Sequence, residues 1–103
     1  MAEAETISWI FLSIALASQT ETADLKEISN IADGINHSIP KEKEMQTAIS
    51  WLLNERIICK IENKYQLTNL GKSEYGESSK NTKTLFGIWK NLELRIKNMN
   101  ENK

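Results

Sequence analysis

The sequence predicts a mainly α-helical fold carrying one small β-hairpin. Three observations lead there. Several segments place apolar residues at helical spacing, while a single short run, Ile57–Ile61, is β-branched and is followed by a polar turn and the alternating Tyr65-Gln66-Leu67. One Pro and four Gly leave little room for a turn-rich all-β chain. At 103 residues, 40% hydrophobic and 26% charged, the composition is that of one soluble globular domain with a modest core.

The first helix is the apolar run Ile7–Ser18. Ile7, Ile10, Phe11 and Ile14 fall on one face, and Trp9, Leu12 and Leu16 on the opposite face. A helix that is apolar all round is covered on both sides, so something besides the main core must shield Trp9, Leu12 and Leu16. Ala15-Leu16-Ala17-Ser18 resembles a signal-peptidase site. However, the flank before the run carries Glu3 and Glu5 and no Lys or Arg, where a secretory signal needs positive charge. The run is also too short to span a bilayer. A buried helix is therefore expected, with no membrane association. The lone Cys fits a reducing compartment, so the expected location is the cytoplasm.

Thr22 or Asp24 can cap a second helix, in which Leu25, Ile28, Ile31, Ala32 and Ile35 have helical spacing and Gly34 and Asn36 are stop signals. A loop follows, and Pro40 suits the first turn of a third helix running to about Glu55. Met45, Ala48, Ile49 and Leu52 form its apolar stripe, with Leu53 beside it and Arg56 at its end. Lys43, Gln46, Thr47, Ser50 and Asn54 lie opposite, with Trp51 at the edge. The hairpin comes next, with Glu62–Lys64 as its turn. Thr68 is a good N-cap for a fourth helix through Leu70 and Tyr75. Gly71 inside that helix implies close packing. Gly76–Thr82 reads as a polar linker. From Lys83 to about Met99, Leu85, Ile88, Trp89, Leu92, Ile96 and Met99 make a strongly periodic stripe. The organisation expected is a domain over residues 1–79 followed by a C-terminal helical segment over 80–103.

This order of elements resembles a winged helix-turn-helix domain with an additional C-terminal helix. The resemblance covers about Asp24 to Tyr75. Tyr65-x-Leu67-Thr68-x-x-Gly71-x-x-x-Tyr75 looks like the end of the wing and the following helix in small bacterial winged-helix proteins. Asn36-His37-x-Ile39-Pro40 is similar to a turn found in one group of them. That group implies a fold and not an activity. Two departures stand out: the turn at about Gly34–Ile39 is longer than in versions that read DNA, and the wing tip Glu62-Asn63-Lys64 is very short.

The resemblance implies that the third helix enters the major groove of double-stranded DNA. Lys43, Gln46, Thr47, Ser50 and Asn54 are residue types that donate to base edges or phosphates. The plain alternative is a solvated helix face, and Glu42 and Glu44 in the first turn would repel phosphate. Lys60 and Lys64 on the hairpin could hold phosphate, or could simply protect an exposed edge strand. The C-terminal stripe could fold back on the first helix and cover Trp9, Leu12 and Leu16. It could also pair with the same helix of a second copy, and both can occur together. Extra burial matters most to a short chain, so a homodimer through Trp9, Leu12, Leu16, Leu85, Ile88, Trp89, Leu92 and Ile96 is expected.

The chain carries thirteen basic and fourteen acidic residues, a net charge of −1. The mixture is uneven. Residues 1–40 hold one Lys (Lys26) against six acids, so the basic excess falls on the hairpin and the C-terminal helix. Any nucleic-acid binding is thereby limited to one side and to modest affinity. One His and one Cys exclude a Cys/His zinc site within the chain, and no phosphate loop or nucleophile–base arrangement is present, so neither an enzyme nor a cofactor is expected. Cys59 reads as a small buried hydrophobe and His37 as an ordinary turn residue. Two functions follow: a dimeric DNA-binding regulator of transcription, or a protein-interaction module on the same fold.

Overall fold

The computed structural model describes residues 1–101. Among them the order is α1 (Glu3–Ala17), α2 (Leu25–Asn36), α3 (Glu42–Asn54), β1 (Ile58–Ile61), β2 (Lys64–Leu67), α4 (Asn69–Ser79) and α5 (Leu85–Glu101). The architecture is mainly helical with a two-stranded antiparallel sheet, in a body of 30 × 27 × 27 Å. No helix among the described residues is long and apolar enough to cross a membrane.

Helix α1 is the centre, with α2, α3, α4, α5 and β2 all packed against it. The apolar character all round Ile7–Ala15 requires this, and every residue in that span is buried. The helix also begins earlier than its apolar run, at Glu3, because Glu3 and Glu5 complement the positive end of the helix dipole. Buried hydroxyls are satisfied by the helix itself. Ser8 Oγ donates to Glu5 O at 2.9 Å and Ser13 Oγ to Trp9 O at 2.8 Å, so neither polar group needs water.

Asp24 caps α2 reciprocally with Glu27: the Glu27 N–H donates to Asp24 Oδ1 at 2.8 Å and the Asp24 N–H to Glu27 Oε1 at 3.2 Å. The helix continues through Gly34 to Asn36, past the expected stop. It ends at His37, whose left-handed φ of 53° lets its N–H reach Asp33 O. Pro40 lies ahead of α3, outside its first turn. Met45, Ala48, Ile49 and Leu52 bury the inner face of α3, whereas Arg56 leaves the helix at φ 62° and is exposed.

Glu62 and Asn63, with φ of 49° and 68°, make a two-residue turn that brings Ile61 opposite Lys64. The turn is one residue tighter than expected. Ala23 adds an isolated bridge to Tyr65, with reciprocal backbone hydrogen bonds of 2.9 and 2.7 Å, which ties the α1–α2 link to the hairpin. Cys59 is half-buried and not fully buried, because only Ile58 of β1 reaches the core.

Thr68 caps α4 as expected, accepting from the Gly71 N–H at 3.1 Å. A Cβ at Gly71 would collide with the Ile57 carbonyl oxygen, so only glycine permits this approach of α4 to the start of the hairpin. Gly76–Ser79, expected as linker, are helical. The Asn91 side chain secures that end by donating to Ser78 O at 2.8 Å. Arg95 clamps α4 to α5 through Glu74, with Nε to Oε1 at 3.3 Å and Nη2 to Oε2 at 2.6 Å. This hydrogen bonding raises the Arg95 pKa above its ordinary value.

Helix α5 supplies the second cover that α1 requires. Trp89 stacks on Trp9 with ring centroids 6.3 Å apart. The two indole N–H groups donate to backbone, Trp9 to Ala32 O at 2.9 Å and Trp89 to Glu5 O at 3.0 Å. Most of the stripe is thus covered from within one chain. Trp9, Leu12, Ile88, Trp89, Leu92 and Ile96 are buried within one chain, Leu16 is half-buried beside them, and Leu85 at the helix start is exposed. The stripe folds inward because α1 offers an apolar face that would otherwise meet water.

Candidate functional site

The side of α3 opposite the core is a polar helix face that the fold leaves in solvent. Lys43, Gln46, Thr47, Ser50 and Asn54 are all exposed along it. They stand clear because Met45, Ala48, Ile49 and Leu52 fix the helix rotation from the other side. Gln46, Thr47, Ser50, Trp51 and Asn54 line one shallow groove, wide open to solvent. Lys43 belongs to a neighbouring groove between the starts of α1 and α3, with Met1, Ile7 and Thr47.

The two acids of the first turn already have partners. Glu44 Oε1 accepts from the Lys41 N–H at 2.9 Å, and Glu42 Oε1 accepts from Gln46 Nε2 at 3.3 Å. Each carboxylate stabilises the helix start and keeps its charge at the N-terminal end of the polar face.

Trp51, Asn100 and Tyr65, which sequence reasoning did not assign to the site, complete the surroundings. The Trp51 indole N–H donates to Asn100 Oδ1 at 3.2 Å, so the far end of α5 orients this ring at the margin of the groove. Tyr65 lines a second groove together with Leu25, Gln46, Ile49, Ser50 and Leu53, so the hairpin abuts the α3 face through Tyr65. Lys60 Nζ lies 5.9 Å from the Tyr65 ring centroid, which brings this cation to the same side. Trp51 was legible as an edge residue, but its partner is 49 positions away and has no local signal.

The hairpin lysines do not act together. Cross-strand pairing puts Lys60 opposite Tyr65 and Lys64 opposite Ile61. Alternation along each strand therefore sends Lys60 and Tyr65 to one face and Lys64, Cys59 and Gln66 to the other. Lys72, on α4, lines a separate polar cleft of about 300 Å³ with Gln66, Glu21 and Tyr75. The structure thus gathers Lys60 with the α3 face and leaves Lys64 at the hairpin tip. His37 is an exposed helix cap. Among the described residues, no group of three or more His, Cys, Asp or Glu is placed to hold a metal ion. No family model, curated protein or solved structure matches this chain.

Proposed function

We propose that this protein binds double-stranded DNA as a winged-helix regulator of transcription, with α3 in the major groove and the hairpin on the phosphate backbone. One observation carries the reading: α3 is locked into the core on one side and presents Lys43, Gln46, Thr47, Ser50 and Asn54 to solvent on the other, with Lys60 beside them through Tyr65. A helix end is narrow enough for the major groove, and these side chains can donate to base edges and phosphates. Lys43 and Lys60 are the phosphate contacts in this reading, and Lys64 is a secondary one at the tip. The inner stripe of α5 takes no part, since it lies in the core.

Anisotropy titration of mixed-sequence duplexes at low salt tests the proposal. Salt-sensitive binding is expected, weakening steeply as ionic strength rises. Lys60→Glu should weaken it about tenfold and Lys64→Glu less, since charge reversal acts most strongly beside the groove. No binding at tens of micromolar protein, or binding indifferent to salt, would overturn the reading.

A second reading is a protein-interaction module. The observation that favours it is the first turn of α3, where Lys41 and Lys43 are offset by Glu42 and Glu44. A pull-down that returns one stoichiometric partner, free of nucleic acid, would select this reading.

A further inference from the structure

The groove on α3 differs from a general phosphate-binding surface in its chemistry. Its lining is two carboxamides, Gln46 and Asn54, two hydroxyls, Thr47 and Ser50, and the indole of Trp51. Among the described residues, no Lys or Arg lines it. Lys43, on the same helix face, lines the neighbouring groove towards α1. In the major groove, guanine offers two acceptors, O6 and N7, which are matched by Arg or Lys. Adenine offers an acceptor and a donor, N7 and N6, which are matched by the paired acceptor and donor of Asn or Gln. Thymine adds a methyl group that takes apolar contact.

We propose that α3 reads A·T base pairs, with Asn54, and Gln46 through the amide hydrogen it does not donate to Glu42, hydrogen-bonding adenine N6 and N7 and the Trp51 ring, together with the Thr47 methyl, against the thymine 5-methyl. This deepens the DNA-binding reading and rests on it. Two features support the assignment of Trp51. Its N–H already donates to Asn100, so the indole is held in one orientation and its polar atom is satisfied without the DNA. The ring also borders the same groove as Asn54 and Ser50, within one helical turn of both. A guanine placed there would present O6 to the acceptor end of a carboxamide and lose a matched pair.

The test compares four duplexes of equal length by anisotropy at one low salt concentration: A·T-rich, G·C-rich, A·T-rich with uracil in place of thymine, and inosine·cytosine. Binding to the A·T duplex at least tenfold tighter than to the G·C duplex is expected. Uracil should weaken binding several-fold, because it removes only the 5-methyl. The inosine duplex should behave like G·C, since it resembles G·C in the major groove and A·T in the minor groove. Gln46→Ala and Asn54→Ala should bring the A·T to G·C ratio towards one while leaving the salt dependence unchanged. Trp51→Ala should shrink the difference between thymine and uracil, and Trp51→Ala with Thr47→Ser should abolish it. Should those variants fail to fold, the uracil comparison on the unaltered protein still decides the point. Salt-dependent binding that is equal for A·T and G·C duplexes overturns this inference and leaves the DNA-binding reading standing. An inosine duplex that binds like A·T overturns major-groove reading. No salt-dependent binding to any duplex overturns both.

Discussion

At the scale of single residues, the tightest contacts are the most predictive. Gly71 lets α4 approach the Ile57 carbonyl, and any Cβ there meets backbone and not a movable side chain. Gly71→Ala should therefore cost about 1–3 kcal/mol by urea denaturation. Gly34, in the last turn of α2 with nothing among the described residues within 4 Å of its missing Cβ, is the control: Gly34→Ala should stabilise by about 0.5–1 kcal/mol. Ser78 makes a less intuitive case. The residue is 2% exposed and its hydroxyl has no hydrogen-bond partner among the described residues. Burying an unpaired hydroxyl is unfavourable, so Ser78→Ala should leave stability unchanged or raise it by about 1 kcal/mol in the same assay. Glu62 occupies the first position of the hairpin turn at φ 49°, where Asn or Gly is better tolerated. Glu62→Asn should raise the thermal midpoint slightly without altering the strands' register.

At the scale of elements, what was legible depended on the range of the interaction. Caps and stripes are local, so Asp24, Thr68, the α3 stripe and the hairpin strands were readable from spacing alone. The tail of α4 was not. Gly76–Ser79 look like a linker by composition, but Asn91 of α5 holds their end in place and the clamp of Arg95 on Glu74 fixes the preceding turn. Tertiary contact overrides weak local propensity there. The candidate site was legible in the same uneven way. The polar residues of α3 follow from periodicity, whereas Trp51 with Asn100, and Tyr65 with Lys60, depend on which helix end and which strand face arrive beside it. The demand of α1 for a second cover was also legible, but the identity of the cover was not, because an apolar stripe fits another copy as well as its own chain. Leu92, fully buried between these helices, is the natural probe. Leu92→Ala should destabilise by about 2–5 kcal/mol, read from the denaturation midpoint at two protein concentrations. If burial is intramolecular, that midpoint should not shift with concentration, since no association step contributes to stability.

At the scale of the whole molecule, charge and packing divide the chain differently. The acidic residues of the first forty positions sit mostly on α1 and α2, and the basic excess lies from α3 onward, yet α1 is buried beneath both. Sequence halves are thus not structural halves, and the electrostatic character of each surface has to be read from the fold. One further consequence comes from the contact between α1 and α5, in which the Trp89 indole reaches the Glu5 carbonyl across 84 positions. The most apolar helix is made before the helix that covers it, so a loop of some 84 residues must close. During synthesis Trp9 and Leu12 emerge long before Trp89 and Leu92 exist to shield them. Nascent chains halted before α5 should remain protease-sensitive and bind a hydrophobic dye, and protection should appear in one late step when α5 clears the ribosome.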